Sequence, residues 1–430
     1  MTIVLFEDHG FLDLLPLVYS RATFNLRCGF SNLREKVEHA HGRPIDAMYV
    51  RPSIADVMAE RWKLPVNVAP SADRQLWING RAMVRGAIDL PADSACWDGD
   101  ALVAASVSGP AAKALTIETM LDSAKLGAAL KALRRVEIPA ETCRLIRYPW
   151  NLIHSNADEI VRQFALHGQG AILGKIYDGV HILNSAAVWI GKGTRIKPCT
   201  VLDAEEGPIH IGDNVTLNPN VTITGPCFIG DQCIVQSGSN IRGGTSLGTF
   251  CKVGGEIEGT IFHGYSNKQH DGFVGHSYIG EWVNLGADTV TSDLKNTYGA
   301  VKVAINGREV DSGETFVGSI IGDHSKTGIN TTLPTGCVVG YACNLFASRH
   351  PPKFVPSFSW LTDEGPAVNE PARALAVALK VVARRKRDYS EAERGCSCRL
   401  CAKQRSGKLQ IRKLSRLDLE IQDPDDFVVG

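Results

Sequence analysis

Between residues roughly 209 and 247 the apolar side chains recur at every sixth position. Val215, Val221, Cys227 and Cys233 form one row, and Leu217, Ile223, Ile229 and Val235 form a second in step with it. Gly212, Gly230, Gly238, Gly243 and Gly248 fall near the corners that this spacing implies. A period of six fits neither the 3.6 of an amphipathic helix nor the 2 of a half-buried strand. It suits a triangular solenoid, in which three six-residue faces make a coil of about eighteen residues. Coils then stack about 4.8 Å apart and like residues ladder up the interior. The rhythm returns at Ile321, Thr327, Leu333, Val339 and Leu345. Residues 185–348 are therefore expected to form a parallel β-helix. Breaks are expected at about 254–280 and 291–315, and repeat arrays commonly carry function in such insertions.

The flanks read differently. Ile3-Val4-Leu5-Phe6 suggests a short buried strand followed by Glu7-Asp8, and Met48-Tyr49-Val50 and Ala101-Leu102-Val103-Ala104 suggest two more. Ser31 to Glu38 has a helical pattern, with Ser31 as a candidate cap and Arg34 and Glu38 four apart. Alternating strands and helices over residues 1–150 suggest an α/β layer structure. A linker helix region spans 151–184, and a Pro-rich strap and a helix starting at Pro371 span 349–389. Residues 390–430 read as a polar tail with a cysteine cluster.

Lys and Arg total 46, as do Asp and Glu, so net charge points to neither nucleic acid nor an anionic membrane surface. No stretch approaches the ~18 apolar residues of a membrane span. Met1 to Gly10 lacks the basic start and apolar run of a signal peptide. Twelve cysteines spread along such a chain suggest free thiols in a reducing, cytoplasmic setting. Arg384 to Arg387 reads as a solvated helix end, favourable at the negative pole of the dipole. Cys396-x-Cys398-x2-Cys401 has the look of a metal clip but no obvious fourth ligand, so no metal site is assigned.

The blocks Gly264-Tyr265-Ser266-Asn267-Lys268-Gln269-His270-Asp271-Gly272-Phe273-Val274-Gly275-His276, Trp282-Val283-Asn284-Leu285-Gly286-Ala287-Asp288-Thr289, Ser292-Asp293-Leu294-Lys295-Asn296-Thr297-Tyr298-Gly299 and Gly322-Asp323-His324-Ser325-Lys326-Thr327-Gly328-Ile329-Asn330 are distinctive. So are Leu5-Phe6-Glu7-Asp8, Leu14-Leu15-Pro16-Leu17, Leu26-Arg27-Cys28-Gly29, Arg34-Glu35-Lys36 and Pro149-Trp150-Asn151-Leu152. Together, from residue 1 to about 387, they resemble a bacterial group of sugar nucleotidyltransferase-like proteins. That group is related to the bifunctional N-acetylglucosamine-1-phosphate uridyltransferase and glucosamine-1-phosphate N-acetyltransferase.

The resemblance implies a nucleotidyltransferase-like domain over 1–150, a left-handed β-helix with an acyltransferase site, and a homotrimer. It implies acetyl-CoA as acyl donor and an amino-sugar phosphate as acceptor. If the first domain is active, it implies a nucleoside triphosphate and Mg2+ as well. His270 matches the family's general base. Lys268, Phe273, Asn284, Asp293, and Lys295 or Lys302 match or neighbour its substrate-binding positions, although Phe273 replaces a Tyr and Asp293 an Asn. No Gly-rich phosphate loop follows Ile3–Phe6, so Arg27, Gly29, Arg34 and Lys36 stand as the nearest nucleotide-binding candidates.

Acetyl transfer to an amine needs a base near neutral pKa, donors for the developing oxyanion, and a groove that holds both substrates. His270, flanked by Lys268 and Asp271, suits the first need. Two alternatives remain open. One is a non-catalytic trimeric scaffold that binds sugar nucleotides. The other is a trimeric metal-dependent enzyme using His263, His270, His276 and His324, whose spacing does not reproduce that of β-helix carbonic anhydrases. Asn284 could equally cap a solenoid turn, and Lys295 and Lys302 could be solvated loop charges.

Overall fold

In the computed structural model residues 1–405 are described, with the side chains of 401–405 left out. The chain divides into two compact units. The first comprises Met1–Leu26, Ser31–Tyr148 and Ser390–Arg399; the second takes up Arg27–Phe30, Pro149–Tyr389 and the chain from Leu400.

The first unit is built on a six-stranded sheet. Its strands lie in the order Ala47–Tyr49, Thr2–Phe6, Arg74–Asn79, Ala101–Ser108, Ser94–Asp98 and Arg134–Arg135. Thr2–Phe6 runs parallel to both neighbours, and Ala101–Ser108 runs antiparallel to both of its own. One face buries Val4, Phe6, Trp77, Ala105 and Val107 against Ile117, Met120, Leu126 and Leu130. The helix expected from Ser31 spans Leu33–His41, and Asn32 rather than Ser31 caps it. Asn32 accepts from the Glu35 N–H while the Glu35 carboxylate accepts from Asn32, a reciprocal pair that satisfies two orphan donors. Arg34 and Glu38 do pair, at 2.8 Å. Residues 390–399 are part of this unit: Arg399 reaches Asp56 at 3.2 Å and the Ser53 carbonyl at 3.2 Å. The expected polar tail thus begins as a helix, Glu391–Arg405, and residues 406–430 lie outside the described part.

The second unit is a left-handed parallel β-helix of about ten turns. Both predicted rows are its interior: Val215, Val221, Cys227, Cys233, Leu217, Ile223, Ile229 and Val235 are all fully buried. Leu217 pairs with Val235 and Val235 with Val253, each one coil on. Pairing starts at Ile172, which bridges Ile190, before residue 185, and runs on past 348. The Pro-rich strap is itself a coil: Phe354–Val355 pairs with Val338–Val339, and Ser359–Thr362 closes the end against Gly365–Val368.

The first expected break is not one. Val253 pairs with Lys268, Glu256 with Phe273 and Ile261 with Tyr278, so the ladders run unbroken through 254–280. These coils are a few residues short of eighteen, which disturbs the count of six without interrupting the stack. The second break is a true excursion. Leu294 bridges Phe316 at its base, and Lys302–Ile305 and Arg308–Asp311 form an antiparallel hairpin within it.

The helix Pro149–His167 belongs to the solenoid unit. Its Asn156 donates to the Gly244 carbonyl at 2.7 Å and accepts from the Gly29 N–H at 2.6 Å. Residues 27–30 are held there too, with the Phe30 ring stacked 4.7 Å from Phe228. Among the described residues no helix is long and apolar enough to cross a membrane.

Candidate active site

Each solenoid coil presents three faces and three corners. The face carrying Lys252, Asn267, Asn284, Lys326 and Asn344 has these residues in register on its outward row. The chain then turns at Gln269-His270-Asp271 in one coil, at Gly286-Ala287 in the next and at Gly328-Ile329 in the one after. A cavity of about 320 Å³ opens at this corner. His270, Asn284, Ala287, Thr327, Gly328 and Ile329 line it.

His270 is exposed. Among the described residues no hydrogen bond of its imidazole is seen, so the ring is available to a ligand. Asn284 Oδ1 accepts from Asn267 Nδ2 at 3.3 Å, and among the described residues no partner of its Nδ2 is seen. The floor is tied by Gly286 N–H donating to Thr327 Oγ1 at 2.9 Å. Ile329, 74% exposed, supplies an apolar rim. A proton acceptor, a neutral donor and an apolar lip thus share one small cleft.

Lys268 is not on the surface of this cleft. It is 0% exposed and occupies the inward row beneath it, paired with Val253. Its ammonium donates to the carbonyls of His270 and Asp271. Burial lowers its pKa to about 8, against the opposing pull of Asp271 and Asp288. The expectation that Lys268 touches substrate is therefore corrected. Strand alternation turns it inside because its neighbour Asn267 faces out, and there it clamps the corner from within.

The other expected substrate residues are not gathered here. Phe273 is half-buried on the next face, paired with Glu256. Asp293 lies at a different corner, where its carboxylate meets His276 Nδ1 at 2.8 Å. Lys295 donates to the Ala300 carbonyl at 3.2 Å inside the excursion. Lys302 pairs with Glu309 at 3.1 Å across the hairpin. Both lysines thus make these contacts within the excursion, not at the cleft.

The His276–Asp293 pair escaped the sequence reading as a pair. His154, from the helix Pro149–His167, stacks 6.1 Å from His276 and bonds the Phe316 carbonyl at 2.9 Å. Burial holds the His154 imidazole below its usual pKa, against the pull of Glu314 and the Phe316 carbonyl. His276 and Asp293 are 17 positions apart, one coil of the stack, while His154 joins them from the helix and Phe316 from the return of the excursion. Lys326 was also given no role. It sits on the outward row beside Asn284, bonded to the His324 carbonyl at 2.8 Å, with its pKa lowered to about 8 by burial. Its place in the motif Gly322–Asn330 was the available signal.

The four nucleotide-binding candidates are divided between the two units. Arg27 and Gly29 belong to the solenoid unit, where Arg27 N–H donates to the Tyr278 hydroxyl at 2.9 Å and Arg27 Nε to the His263 carbonyl at 3.4 Å. Arg34 lies 3.8 Å from the Trp62 ring centroid on the first unit's helix, and Lys36 is buried. At the carboxyl ends of the parallel strands of that unit stand Glu7 and Asp8, both nearly inaccessible. Glu7 pairs with Arg51 at 2.5 Å, and Asp8 takes Arg81 through two bonds of 2.8 and 2.5 Å. A Mg2+ ion at this edge would need free carboxylate oxygens. Both carboxylates are taken by arginines, so the residues do not fit that ion.

Among the described residues no group of three or more His, Cys, Asp or Glu could hold a metal ion. Cys396 is buried and Cys398 exposed on the helix Glu391–Arg405, and the Cys401 side chain lies outside the described part.

Fold and cleft define a hexapeptide-repeat solenoid joined to an α/β unit. Residues 3–172 match the family model described as sugar nucleotidyl transferase. The chain is 31% identical over 195 residues to the bifunctional sugar-1-phosphate nucleotidylyltransferase/acetyltransferase of Sulfurisphaera tokodaii, covering 39% of this chain and 47% of that protein. It is 33% identical over 194 residues to the bifunctional protein GlmU of Methanococcus aeolicus, covering 45% and 40%. The chain thus spans less than half the length of these curated relatives. Among solved structures, the UDP-N-acetylglucosamine O-acyltransferase of Moraxella catarrhalis is 15% identical, with a TM-score of 0.16 and coverage of 54% and 91%. Over these stretches the chain is therefore similar to sugar nucleotidyltransferases and to bifunctional nucleotidylyltransferase/acetyltransferases, as its motifs suggested.

Proposed function

We propose that this protein is a sugar-phosphate transferase whose solenoid moves an acetyl group from acetyl-CoA to the amine of an amino-sugar phosphate. The cleft that pairs His270 with Asn284 carries this reading. The amine nitrogen attacks the thioester carbonyl, and the C–N bond forms as His270 takes the departing proton. Asn284 Nδ2 donates to the carbonyl oxygen as it gains charge. The C–S bond then breaks, and the thiolate leaves as CoA thiol with the proton returned from His270. Lys268 holds the carbonyls on either side of that step from below.

The match of residues 3–172 to sugar nucleotidyl transferases supports a nucleotide-handling first unit, so that the whole chain would serve nucleotide-sugar formation. We place the protein in the cytoplasm as a homotrimer, in keeping with the free thiols and the solenoid. The filled strand ends at Glu7 and Asp8 favour a second reading for the first unit: it binds a nucleotide without transferring it.

The test is acetyl-CoA turnover with a panel of amino-sugar phosphates, followed by mass spectrometry of the product. His270→Gln is expected to lower kcat by about 100-fold or more, the usual contribution of a positioned base. Turnover at the wild-type rate in that variant removes His270 from the mechanism.

A further inference from the structure

In open α/β sheets, ligands bind outside the carboxyl ends of the strands. In the first unit that edge is closed at the three adjacent parallel strands. Glu7 lies after Thr2–Phe6 and Arg51 after Ala47–Tyr49, and they pair at 2.5 Å. Asp8 and Arg81 close the gap toward Arg74–Asn79, with Asn79 Nδ2 donating to Asp8 at 2.9 Å. A Cβ on Gly10 would collide with the Arg81 guanidinium, so no space is left there.

The same edge is open further along. Ser94–Asp98 and Arg74–Asn79 both run antiparallel to Ala101–Ser108, so they share a direction and their carboxyl ends lie at one edge. At the end of Ser94–Asp98 is a cavity of about 630 Å³. That is within the range of small-molecule sites. Trp97, Asp100, Leu130, Lys131, Leu133 and Arg135 line it. Arg135 pairs with Ala95 in the neighbouring strand, two residues before Trp97, so strand alternation puts both side chains on one face. The Arg135 guanidinium lies 5.7 Å from the Trp97 ring centroid. Among the described residues neither Lys131 nor Arg135 has a carboxylate partner. The Asp100 carboxylate is likewise unpaired.

We propose that this cavity binds a nucleotide: its ring against Trp97, its phosphates on Lys131 and Arg135, and a sugar hydroxyl donating to Asp100. The inference rests on the reading of the first unit as nucleotide-handling. It moves the site from the end of the first strand, which two ion pairs fill, to the end of the strand Ser94–Asp98. Each part of the ligand meets chemistry suited to it. A flat ring stacks on indole whatever its base. Two unpaired cations take phosphate oxygens. The apolar floor of Leu130 and Leu133 excludes water behind the ring.

The experiment is isothermal titration of the full chain with four nucleoside triphosphates, uridine and inorganic triphosphate. Wild type is expected to bind at least one nucleoside triphosphate more tightly than either uridine or inorganic triphosphate. The double variant Lys131→Glu/Arg135→Glu, both residues being exposed, should weaken binding by at least about tenfold. Trp97→Leu should weaken it by roughly tenfold, as expected for one lost stacking contact. The surface double variant keeps the test sound if Trp97→Leu does not fold. Nucleotide binding that both variants leave unchanged overturns the site but leaves the reading of the first unit standing. A wild-type chain that transfers acetyl groups but binds no nucleoside triphosphate overturns both.

Discussion

Replacing Lys268 with methionine should raise the stability of the solenoid and lower the acetyl transfer proposed for it, and the two effects have separate causes. Lys268 is fully buried on the inward row, with its ammonium on the carbonyls of His270 and Asp271. Burial lowers its pKa from 10.5 to about 8. Below pH 8 the folded and unfolded chains are both protonated, and the folded one bears the full cost of the buried charge. A shift of this size corresponds to roughly 3 kcal/mol. Between pH 8 and 10.5 the unfolded chain holds the proton and the folded chain does not, so stability from this group rises with pH.

Methionine keeps the length and removes the charge. The stability advantage of the variant should therefore be greatest at pH 7 and shrink by about 3 kcal/mol as pH rises through 10.5. Urea denaturation of both proteins at a series of pH values reads this difference directly, and other titrating groups cancel between them. Acetyl transfer by the same variant should fall about tenfold or more, because the corner carbonyls lose the donor that positions His270. Parallel stability curves across that pH range would show that the lysine carries no buried-charge cost. Unchanged turnover would show that the clamp does not position the base.

Arg81→Met leaves Asp8 buried without its cation, and should destabilise the first unit by about 3–5 kcal/mol, measured by hydrogen exchange of Thr2–Phe6. Gly259 has φ +54, and a Cβ there would lie 2.8 Å from His276 Cδ2. Gly259→Ala should thus cost about 1–2 kcal/mol in thermal unfolding and shift the His276 imidazole resonances as the ring leaves Asp293. Ile223→Ala opens a void in the inward ladder and should cost about 2–5 kcal/mol by the same melt.

The sequence by itself determined the solenoid. Val215 and Leu217 head rows of six that only a three-faced coil can bury, and each such residue is buried where its spacing placed it. The strand Ile3–Phe6 and the helix at Pro371 were equally legible, because local period and a proline in the first helical turn decide them. The rows did not reveal that 254–280 stays in the stack. A coil shortened by two or three residues keeps its backbone pairing but loses the arithmetic of six. Nor did they show which way Lys268 faces. Alternation is readable only once the register is known, and here register passes through those shortened coils.

The site divides in the same way. His270 and Asn284 were singled out from their motifs, and the stack of successive corners brings them to one cleft. Asp293 was read as a neighbour of that cleft, but it lies at another corner, one coil on from His276. Arg27 and Gly29 were read with the first unit, but Asn156 and Tyr278 hold them to the solenoid. These outcomes depend on which residues share a corner of the stack and on contacts between residues more than a hundred positions apart. Periodicity encodes what repeats along the chain, and it carries no information about pairings that occur once. The six-residue rhythm therefore fixed the scaffold, while tertiary packing chose which side chains meet at each of its corners.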